Sequence, residues 1–275
     1  MATTEHLRMS ALPEPSPLVA DLASALFLDV DGTLLDFAND PDAVRVEPGL
    51  LRTLDTLHER LGGALALVSG RNIDGLDRLF GRPRWAAAGL HGLERRRADG
   101  AIERLPVDPA RIAALRAAAL RVAGALPGVR IEDKGACIAL HCREAPHQED
   151  ALGHAAATLV SGFPDFELQR GSHVYELKPL GMDKGKAVTD LLTTAPFVDR
   201  IPVYVGDDLT DEHAFGAVNA HGGISIRVGS RVPTDAYFTL SSPAAVHAWL
   251  DSAIAAPPQG ITRHAGSDEP IPGKP

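Results

Sequence analysis

Two short acidic segments hold the residues best able to do chemistry. The first, Phe-Leu-Asp-Val-Asp-Gly-Thr, contains Asp29 and Asp31, and the second, Gly-Asp-Asp-Leu-Thr-Asp-Glu, contains Asp207, Asp208 and Asp211. Each segment follows a short apolar run that predicts a buried strand. Ligands of open α/β sheets bind beyond the carboxyl ends of the strands. We therefore expect these carboxylates to converge if the two strands are neighbours.

Carboxylates held this close must share protons or bind a cation. Oxygen donors with no histidine or cysteine among them favour Mg²⁺. Either segment alone is equally typical of an acidic turn that caps a following helix. Because both segments stand at matching strand ends, together they predict a magnesium site.

The spacing of Asp29 and Asp31, on a loop that leaves a buried strand, suits phosphoryl transfer through a covalent intermediate. Asp29 would attack phosphorus and become an aspartyl phosphate. Asp31 would protonate the leaving oxygen and later accept a proton from water. Gly32 permits the sharp turn, and Thr33 offers a hydroxyl and an N–H to the phosphate.

Residues at other predicted strand and helix ends could hold the phosphate. Ser69 ends a second buried strand, so its hydroxyl and the N–H of Gly70 can bind a phosphoryl oxygen. Lys184 begins a helix after Asp183 and offers a point charge. Considered singly, Ser69 could be a helix N-cap and Lys184 a solvated surface lysine.

The order of predicted elements places these residues on an α/β sheet. Apolar runs predict buried strands at 25–28, 64–68, 201–205 and 223–228, and helices fall between them at about 49–61, 73–80 and 183–192, with a last helix from 243. Alternation of strand and helix predicts a parallel sheet. We expect residues 21–104 and 179–256 to form it together.

The pattern changes between residues 105 and 178. Helices at about 109–125 and 147–161 alternate with two pairs of short strands in the order α-β-β-α-β-β. This order predicts a small α+β domain with an antiparallel sheet, inserted into the first domain. The Pro-rich ends, 1–20 and 257–275, predict mobile tails.

The composition excludes several classes of protein. The 275 residues include 27 Lys and Arg against 36 Asp and Glu, a net charge of −9, which argues against nucleic-acid or anionic-membrane partners. No apolar run approaches the roughly 18–20 residues of a membrane helix, and the first residues lack the pattern of a secretory signal. Cys137 and Cys142 are not spaced as CxxC and predict reduced thiols in a cytoplasmic protein, with no metal or redox role.

The four segments in this order resemble the haloacid dehalogenase (HAD) superfamily of phosphotransferases. The segment DVDGTL at 29–34, Ser69, Lys184 and the segment GDDLTDE at 206–212 correspond to its first, second, third and fourth motifs, and the resemblance runs from about residue 25 to 256. It implies a HAD-like Rossmannoid parallel sheet as the core. The insert between the second and third motifs is similar to the C2-type cap of that superfamily.

Within the superfamily the chain resembles the trehalose-6-phosphate phosphatases. The resemblance rests on SGR at 69–71, GLHG at 89–92 followed by Glu94, EDKGACIALHCR at 132–143, and GDDLTDE. It implies hydrolysis of trehalose 6-phosphate with Mg²⁺, with Asp29 as nucleophile and Asp31 as acid and base. It also implies metal ligation by the Asp29 side chain, the Asp31 carbonyl and the Asp207 side chain, supported by Asp208 or Asp211.

The same resemblance implies substrate contacts, most of them from the insert. The residues are Arg71, His91, Glu132, Lys134, His141, Arg143 and Glu176, with Lys178 as a further candidate. Parity places Glu132 and Lys134 on one strand face and His141 and Arg143 on another. Glu132 and Lys134 could equally form a surface ion pair.

Other functions remain open from the residues alone. They are a HAD phosphatase for sucrose phosphate or glycosyl phosphoglycerate, a mutase, and a sugar-phosphate sensor without activity. A sensor has no use for both a nucleophile and an acid, so Asp29 and Asp31 argue against it. We expect a small-molecule sugar phosphate as the partner, and the sequence leaves the oligomeric state open.

Overall fold

The computed structural model of the protein describes residues 12–36, 45–81 and 83–255. Residues 1–11 and 256–275, which include most of the two expected tails, lie outside this description. None of the helices formed by the described residues is long and apolar enough to cross a bilayer.

The described residues form twelve strands and seven α-helices. The strands are β1 Ser24–Leu28, β2 Leu65–Val68, β3 Ala86–Gly89, β4 Glu94–Arg96, β5 Ile102–Arg104, β6 Arg130–Asp133, β7 Ile138–His141, β8 Phe166–Gly171, β9 Val174–Pro179, β10 Ile201–Gly206, β11 Ile224–Val228 and β12 Phe238–Leu240. The helices are α1 Pro48–Arg60, α2 Ile73–Phe80, α3 Pro109–Ala125, α4 Glu149–Val160, α5 Lys184–Leu192, α6 Glu212–Ala220 and α7 Pro243–Ala255.

Eight strands form the large sheet, in the order β12-β11-β10-β1-β2-β3-β4-β5. The six strands from β12 to β3 are parallel, and β4 and β5 are antiparallel additions at one edge. In the register of β1 and β10, Leu28 lies opposite Val205. The chain therefore leaves both strands at the same level of the sheet edge, which brings the two acidic segments together.

Five elements of this sheet region were not predicted from the sequence pattern. Strand β3 is Ala-Ala-Ala-Gly and β4 is Glu-Arg-Arg, neither of which has the β-branched or aromatic residues typical of strands. Strands β5 and β12 have three residues each. Helix α6 has only nine residues and contains Gly216, which is a weak helix former. These elements form because neighbouring strands and helices supply hydrogen bonds and contacts.

The smaller sheet has the order β6-β7-β9-β8 and is antiparallel throughout, as the sequence predicts. Helices α3 and α4 bury one face of this sheet, where Leu115 and Leu152 lie in a cluster with Leu140 and Leu177. The other face is polar. We call residues 105–178, with this sheet and its two helices, the insert.

The polar face of the insert corrects the expectation from strand parity. Arg130 lies opposite His141 in the β6–β7 register, and Glu132 lies two residues further along the same face of β6. The side chains of Glu132 and His141 therefore share one face and form an ion pair, with 2.9 Å between Oε2 and Nε2. Alternation along a single strand shows which of its own residues share a face. Which residues of two different strands share a face depends on how the strands pair.

Residues 12–20 lie against the core, although we expected a mobile tail. The N–H of Thr239 in β12 donates to the carbonyl of Pro13 at 2.9 Å, and Nε1 of Trp249 in α7 donates to the carbonyl of Ser16 at 2.9 Å. Leu18 is buried in the core cluster. These contacts cover the edge of the large sheet.

Candidate active site

Asp29 lies at the end of the central strand β1 and is almost fully buried, with 3% of its surface exposed. The Nζ atom of Lys184, at the first position of α5, donates to Oδ1 of Asp29 and to Oδ1 of Asp211, both at 2.7 Å. Burial would lower the pKa of Lys184, but the charges of Asp211 and Asp29 outweigh it and raise that pKa. Lys184 therefore stays charged beside Asp29.

Asp211 organises the second acidic segment. Its Oδ2 accepts the backbone N–H groups of Asp207 and Asp208 at 3.0 and 2.9 Å. Its Oδ1 accepts the hydroxyl of Tyr204 at 2.6 Å, in addition to Lys184. Sequence reasoning missed Tyr204; the one signal for it is a hydroxyl-bearing residue within the apolar run 201–205.

Three carboxylates fit a divalent cation. Ligand oxygens of Asp29, Asp207 and Asp211 all lie within 4.8 Å of one another. Burial, and then the negative charge of Asp211, raises the pKa of Asp207 to about 7. Burial also raises the pKa of Asp29 well above its usual range, although Lys184 opposes this. An all-oxygen donor set whose charges repel one another suits a hard cation.

Gly32 and Thr33 hold the two acidic segments together. Gly32 has a φ of +89°, and a Cβ atom there would lie 2.3 Å from Oδ2 of Asp207. The hydroxyl of Thr33 donates to Oδ1 of Asp207 at 3.2 Å, and the N–H of Thr33 donates to the carbonyl of Val30 at 3.3 Å. Both groups that the sequence assigned to phosphate binding thus have partners within the protein.

Arg71 forms a bidentate ion pair with Asp31. Its Nε and Nη2 atoms donate to the two carboxylate oxygens of Asp31, each at 2.7 Å. The backbone N–H of Arg71 donates to Oγ of Ser69 at 3.1 Å. The structure therefore places Arg71, which the sequence assigned to the substrate, on the residue expected to move the proton.

A buried polar cluster joins the insert to the core. Nε2 of His91 lies 2.6 Å from Oε2 of Glu176, and both residues are buried. Nζ of Lys134 donates to Oε1 of Glu176 and, at 3.0 Å, to the carbonyl of Gly70. Lys134 on the insert therefore contacts the backbone of the segment expected to bind phosphate.

The charges in this polar cluster depend on burial and pairing. Burial lowers the pKa of His91, and Glu176 only partly offsets this. Burial would raise the pKa of Glu176, but Lys134 and His91 hold it well below the usual range. Nδ1 of His91 is buried and makes no hydrogen bond with the described residues. The pKa of His91 is thus shifted toward the neutral imidazole, next to the ion pair of Glu176 and Lys134.

A cavity of about 710 Å³ separates the polar face of the insert from the carboxyl edge of the large sheet. This volume is within the usual range for small-molecule sites. Of the residues predicted from the sequence, the cavity is lined by Asp29, Asp31, Ser69, Gly70, Arg71, His91, Glu132, Lys134, His141, Arg143, Glu176, Lys184 and Asp208. Thr33, Asp207 and Asp211 are not among its lining residues. Gln169 and Ser172 line it without having been predicted.

The sequence profile of the trehalose-phosphatase family matches residues 27–244. The chain belongs to this family. A probable trehalose-phosphate phosphatase of Sinorhizobium fredii is 46% identical over 220 residues, which cover 79% of this chain and 83% of the relative. The trehalose-6-phosphate phosphatase of Escherichia coli K12 is 38% identical over 242 residues, covering 87% and 91%.

Solved structures confirm the predicted HAD-like α/β fold. The C-terminal domain of trehalose-6-phosphate phosphatase from Candida albicans matches with a TM-score of 0.79 at 20% identity, covering 90% of this chain and all of that one. A haloacid dehalogenase-like hydrolase from Bacteroides thetaiotaomicron matches with a TM-score of 0.62 at 15% identity, covering 83% and 98%. At these identities the likeness concerns the fold.

Proposed function

We propose that the protein hydrolyses trehalose 6-phosphate to trehalose and phosphate. The observation that carries this is the cavity between an aspartate–lysine centre and a polar sheet face, in a chain of the trehalose-phosphatase family. The centre suits phosphoryl transfer, and the polar face offers the carboxylates and cations that hydrogen-bond to sugar hydroxyls. A cytoplasmic location is consistent with the two free cysteines.

In the proposed reaction Asp29 is the nucleophile. A carboxylate oxygen of Asp29 forms a bond to phosphorus as the bond from phosphorus to the sugar oxygen breaks. Lys184, which donates to Asp29 and Asp211, would stabilise the negative charge of the phosphoryl oxygens. Ser69 and Gly70 line the same cavity as Asp29 and would donate to those oxygens.

Asp31 moves the proton in both half-reactions. It protonates the leaving sugar oxygen and then accepts a proton from the water that attacks the aspartyl phosphate. The ion pair with Arg71 holds the Asp31 carboxylate in place when no substrate is bound. Asp31 must be protonated to act as an acid, so Arg71 has to release at least one of its two contacts during the first half-reaction.

Mg²⁺ would be held by the side chains of Asp29 and Asp207, with the Asp31 carbonyl and with Asp208 or Asp211 in support. When bound, it supplies positive charge that offsets the repulsion between phosphate and carboxylates. Asp211 already accepts four hydrogen bonds, so its part is to fix the loop that carries Asp207.

We further propose that the insert, 105–178, acts as a cap on a core formed by 21–104 and 179–256. Lys134 and Glu176 would bind sugar hydroxyls near the phosphate, because their cluster reaches Gly70. Glu132, His141 and Arg143 are more exposed and would contact the outer part of the substrate. His91 would complete the inner wall.

The test is a phosphate-release assay on a panel of sugar phosphates with saturating Mg²⁺. We expect trehalose 6-phosphate to have the highest kcat/KM. A preference for sucrose phosphate or glycosyl phosphoglycerate would overturn the substrate and leave the chemistry standing. Transfer to a second sugar hydroxyl with no free phosphate would indicate a mutase.

A second test concerns the nucleophile. Asp29→Asn should abolish the acid-stable phosphoprotein and reduce phosphate release to background, because an amide cannot form the acyl phosphate. Phosphoprotein is measured by mass spectrometry after an acid quench. Turnover above background by a clean preparation of the Asp29→Asn variant would contradict the assignment.

A further inference from the structure

A second group of metal-ligating side chains lies in the insert, apart from the catalytic carboxylates. One ligand atom each from Cys142, Glu149 and His173 lies within 4.8 Å of the others. Cys142 directly follows β7, Glu149 is the first residue of α4, and His173 stands in the turn between β8 and β9. The turn that carries His173 is thus brought to a segment that holds both Cys142 and Glu149, more than 20 residues earlier in the chain.

Hydrogen bonds join the three residues of this group. Nδ1 of His173 lies 2.9 Å from Oε2 of Glu149. The thiol of Cys142 donates to the carbonyl of His173 at 3.5 Å, and the backbone N–H of Cys142 donates to the same carbonyl at 2.9 Å. The loop of Cys142 is thus bonded to the turn that carries His173.

The burial of the three residues differs in a way that suits an ion. Cys142 is fully buried. The side chains of Glu149 and His173 are 22% and 41% exposed, so solvent reaches the group from their side. Arg170 donates to Oε1 of Glu149 at 2.8 Å and leaves Oε2 turned toward His173. Such an outer contact orients a ligating carboxylate.

We propose that Cys142, Glu149 and His173 form a zinc-type site in the insert. A thiolate, an imidazole and a carboxylate are ligands that Zn²⁺ accepts in tetrahedral sites, with a fourth position for water. The sulfur and nitrogen donors disfavour Mg²⁺, so this site differs in kind from the all-oxygen set at Asp29. The ion takes the place of the thiol proton, which is released, and binds Nδ1 while the ring keeps its other proton on Nε2.

This site would link the β8–β9 turn of the insert to helix α4. The turn that carries His173 also contains Ser172, which lines the catalytic cavity. The same turn lies close to Asp208, because a Cβ atom on neighbouring Gly171 would be 3.0 Å from Oδ2 of Asp208. An ion bound there would link that turn to α4. Because it binds only the folded arrangement, it should raise the midpoint of thermal unfolding.

The test is a cobalt titration of the full-length protein in excess Mg²⁺, which occupies the carboxylate site. We expect one Co²⁺ per chain with a thiolate-to-cobalt absorption band that a carboxylate site cannot give, and we expect Zn²⁺ to displace it. Cys142→Ser should abolish the band. Cys137→Ser, which removes the other buried thiol of the insert, is the matched control and should keep it.

Two further variants separate loss of a ligand from loss of the fold. His173→Asn suits the position because His173 has a φ of +58°, which asparagine tolerates better than most residues. This variant and Glu149→Gln should weaken cobalt binding by about tenfold or more. His154→Asn, on the same helix α4, should bind as the wild type does. Circular dichroism of the metal-free proteins monitors folding.

A wild-type titration without the band overturns the proposal, as does a band that survives in Cys142→Ser or an unchanged affinity in His173→Asn. If Cys142→Ser does not fold, the wild-type band and the His173→Asn affinity decide. Mg²⁺-dependent phosphate release by the zinc-free protein should be the same in His173→Asn and wild type. A failed cobalt titration therefore says nothing against the proposed phosphatase activity. A failed phosphatase assay likewise says nothing against the proposed zinc-type site.

Discussion

The guanidinium of Arg71 fixes the orientation of the Asp31 carboxylate. Two parallel hydrogen bonds of 2.7 Å fix the carboxylate plane of Asp31 toward the cavity. General acid and base catalysis depends on such positioning. We therefore expect Arg71 to act on the proposed proton transfer through Asp31.

Arg71→Ala should lower kcat by at least tenfold, because Asp31 loses its orienting partner. Asp31→Asn removes the proton carrier itself and should cost more, up to about 10²–10⁴-fold. Steady-state phosphate release measures both. Arg121→Ala, an exposed arginine of α3, is the control. A full rate in Arg71→Ala would show that Asp31 needs no partner.

Lys134 of the insert donates to the carbonyl of Gly70, in the segment proposed to bind phosphate. Lys134→Ala should raise KM for trehalose 6-phosphate by about tenfold, since a charged hydrogen bond contributes about 1.5–3 kcal/mol. The change in KM for a small aryl phosphate should be smaller, because that substrate has no sugar to contact Lys134 or Glu176. Lys186→Ala, on the exposed side of α5, is the control. An equal rise in KM for both substrates would contradict the assignment of Lys134 to the sugar-binding part of the cavity.

At the scale of elements, one turn sets the distance between the two acidic segments. The chain leaves β1 and turns at Gly32, whose α-carbon faces the carboxylate of Asp207. A positive φ and a contact this close leave no room for a side chain. The turn is therefore a geometric requirement of the site as well as of the fold.

Gly32→Ala should impair both stability and activity. The left-handed backbone costs about 1–2 kcal/mol with a side chain present, and the Cβ atom must displace Asp207. We expect a lower thermal midpoint and a kcat reduced by at least tenfold. Gly100→Ala, at a φ of +86° with open space around it, is the matched control and should cost stability alone. Full activity of Gly32→Ala would mean that Asp207 can move without consequence.

At the scale of the molecule, the site exists only between two sheets. The carboxyl edge of the parallel sheet supplies Asp29, and the polar face of the antiparallel sheet supplies Glu176. Neither sheet encloses the cavity alone. Lys134 of the insert donates to the Gly70 carbonyl, and Glu176 of the insert contacts His91. We therefore expect substrate binding and the relative position of the two sheets to be coupled.

Removal of divalent metal should act on the whole molecule. EDTA should stop phosphate release and added Mg²⁺ should restore it, because the clustered carboxylates otherwise repel the phosphate. Mg²⁺ should also raise the thermal midpoint of the wild type, since it binds the folded state. In Asp207→Asn that rise should be smaller. Undiminished phosphate release in EDTA would exclude the metal from the reaction.

The sequence by itself determined the sheet core and predicted the residues at its carboxyl edge. Apolar runs ending in Asp29, Ser69 and Asp207 mark buried strands, because a strand covered on both faces needs continuous apolar residues. Two further local signals are Asp183, the N-cap of α5, and the change in pattern after residue 105. The insert has the predicted order of elements. Each of these features depends on residues that are close together in the chain, so it can be predicted from the sequence.

The tertiary structure alone decided which side chains meet. The pairing of Arg71 with Asp31 and of Lys134 with Glu176, and the hydroxyl of Tyr204 on Asp211, join residues whose spacing carries no signal. Strand β3, with its alanines, forms because β2 lies beside it. The group at Cys142 was invisible for the same reason, since its partners come from a helix and a turn that only the antiparallel register brings to it.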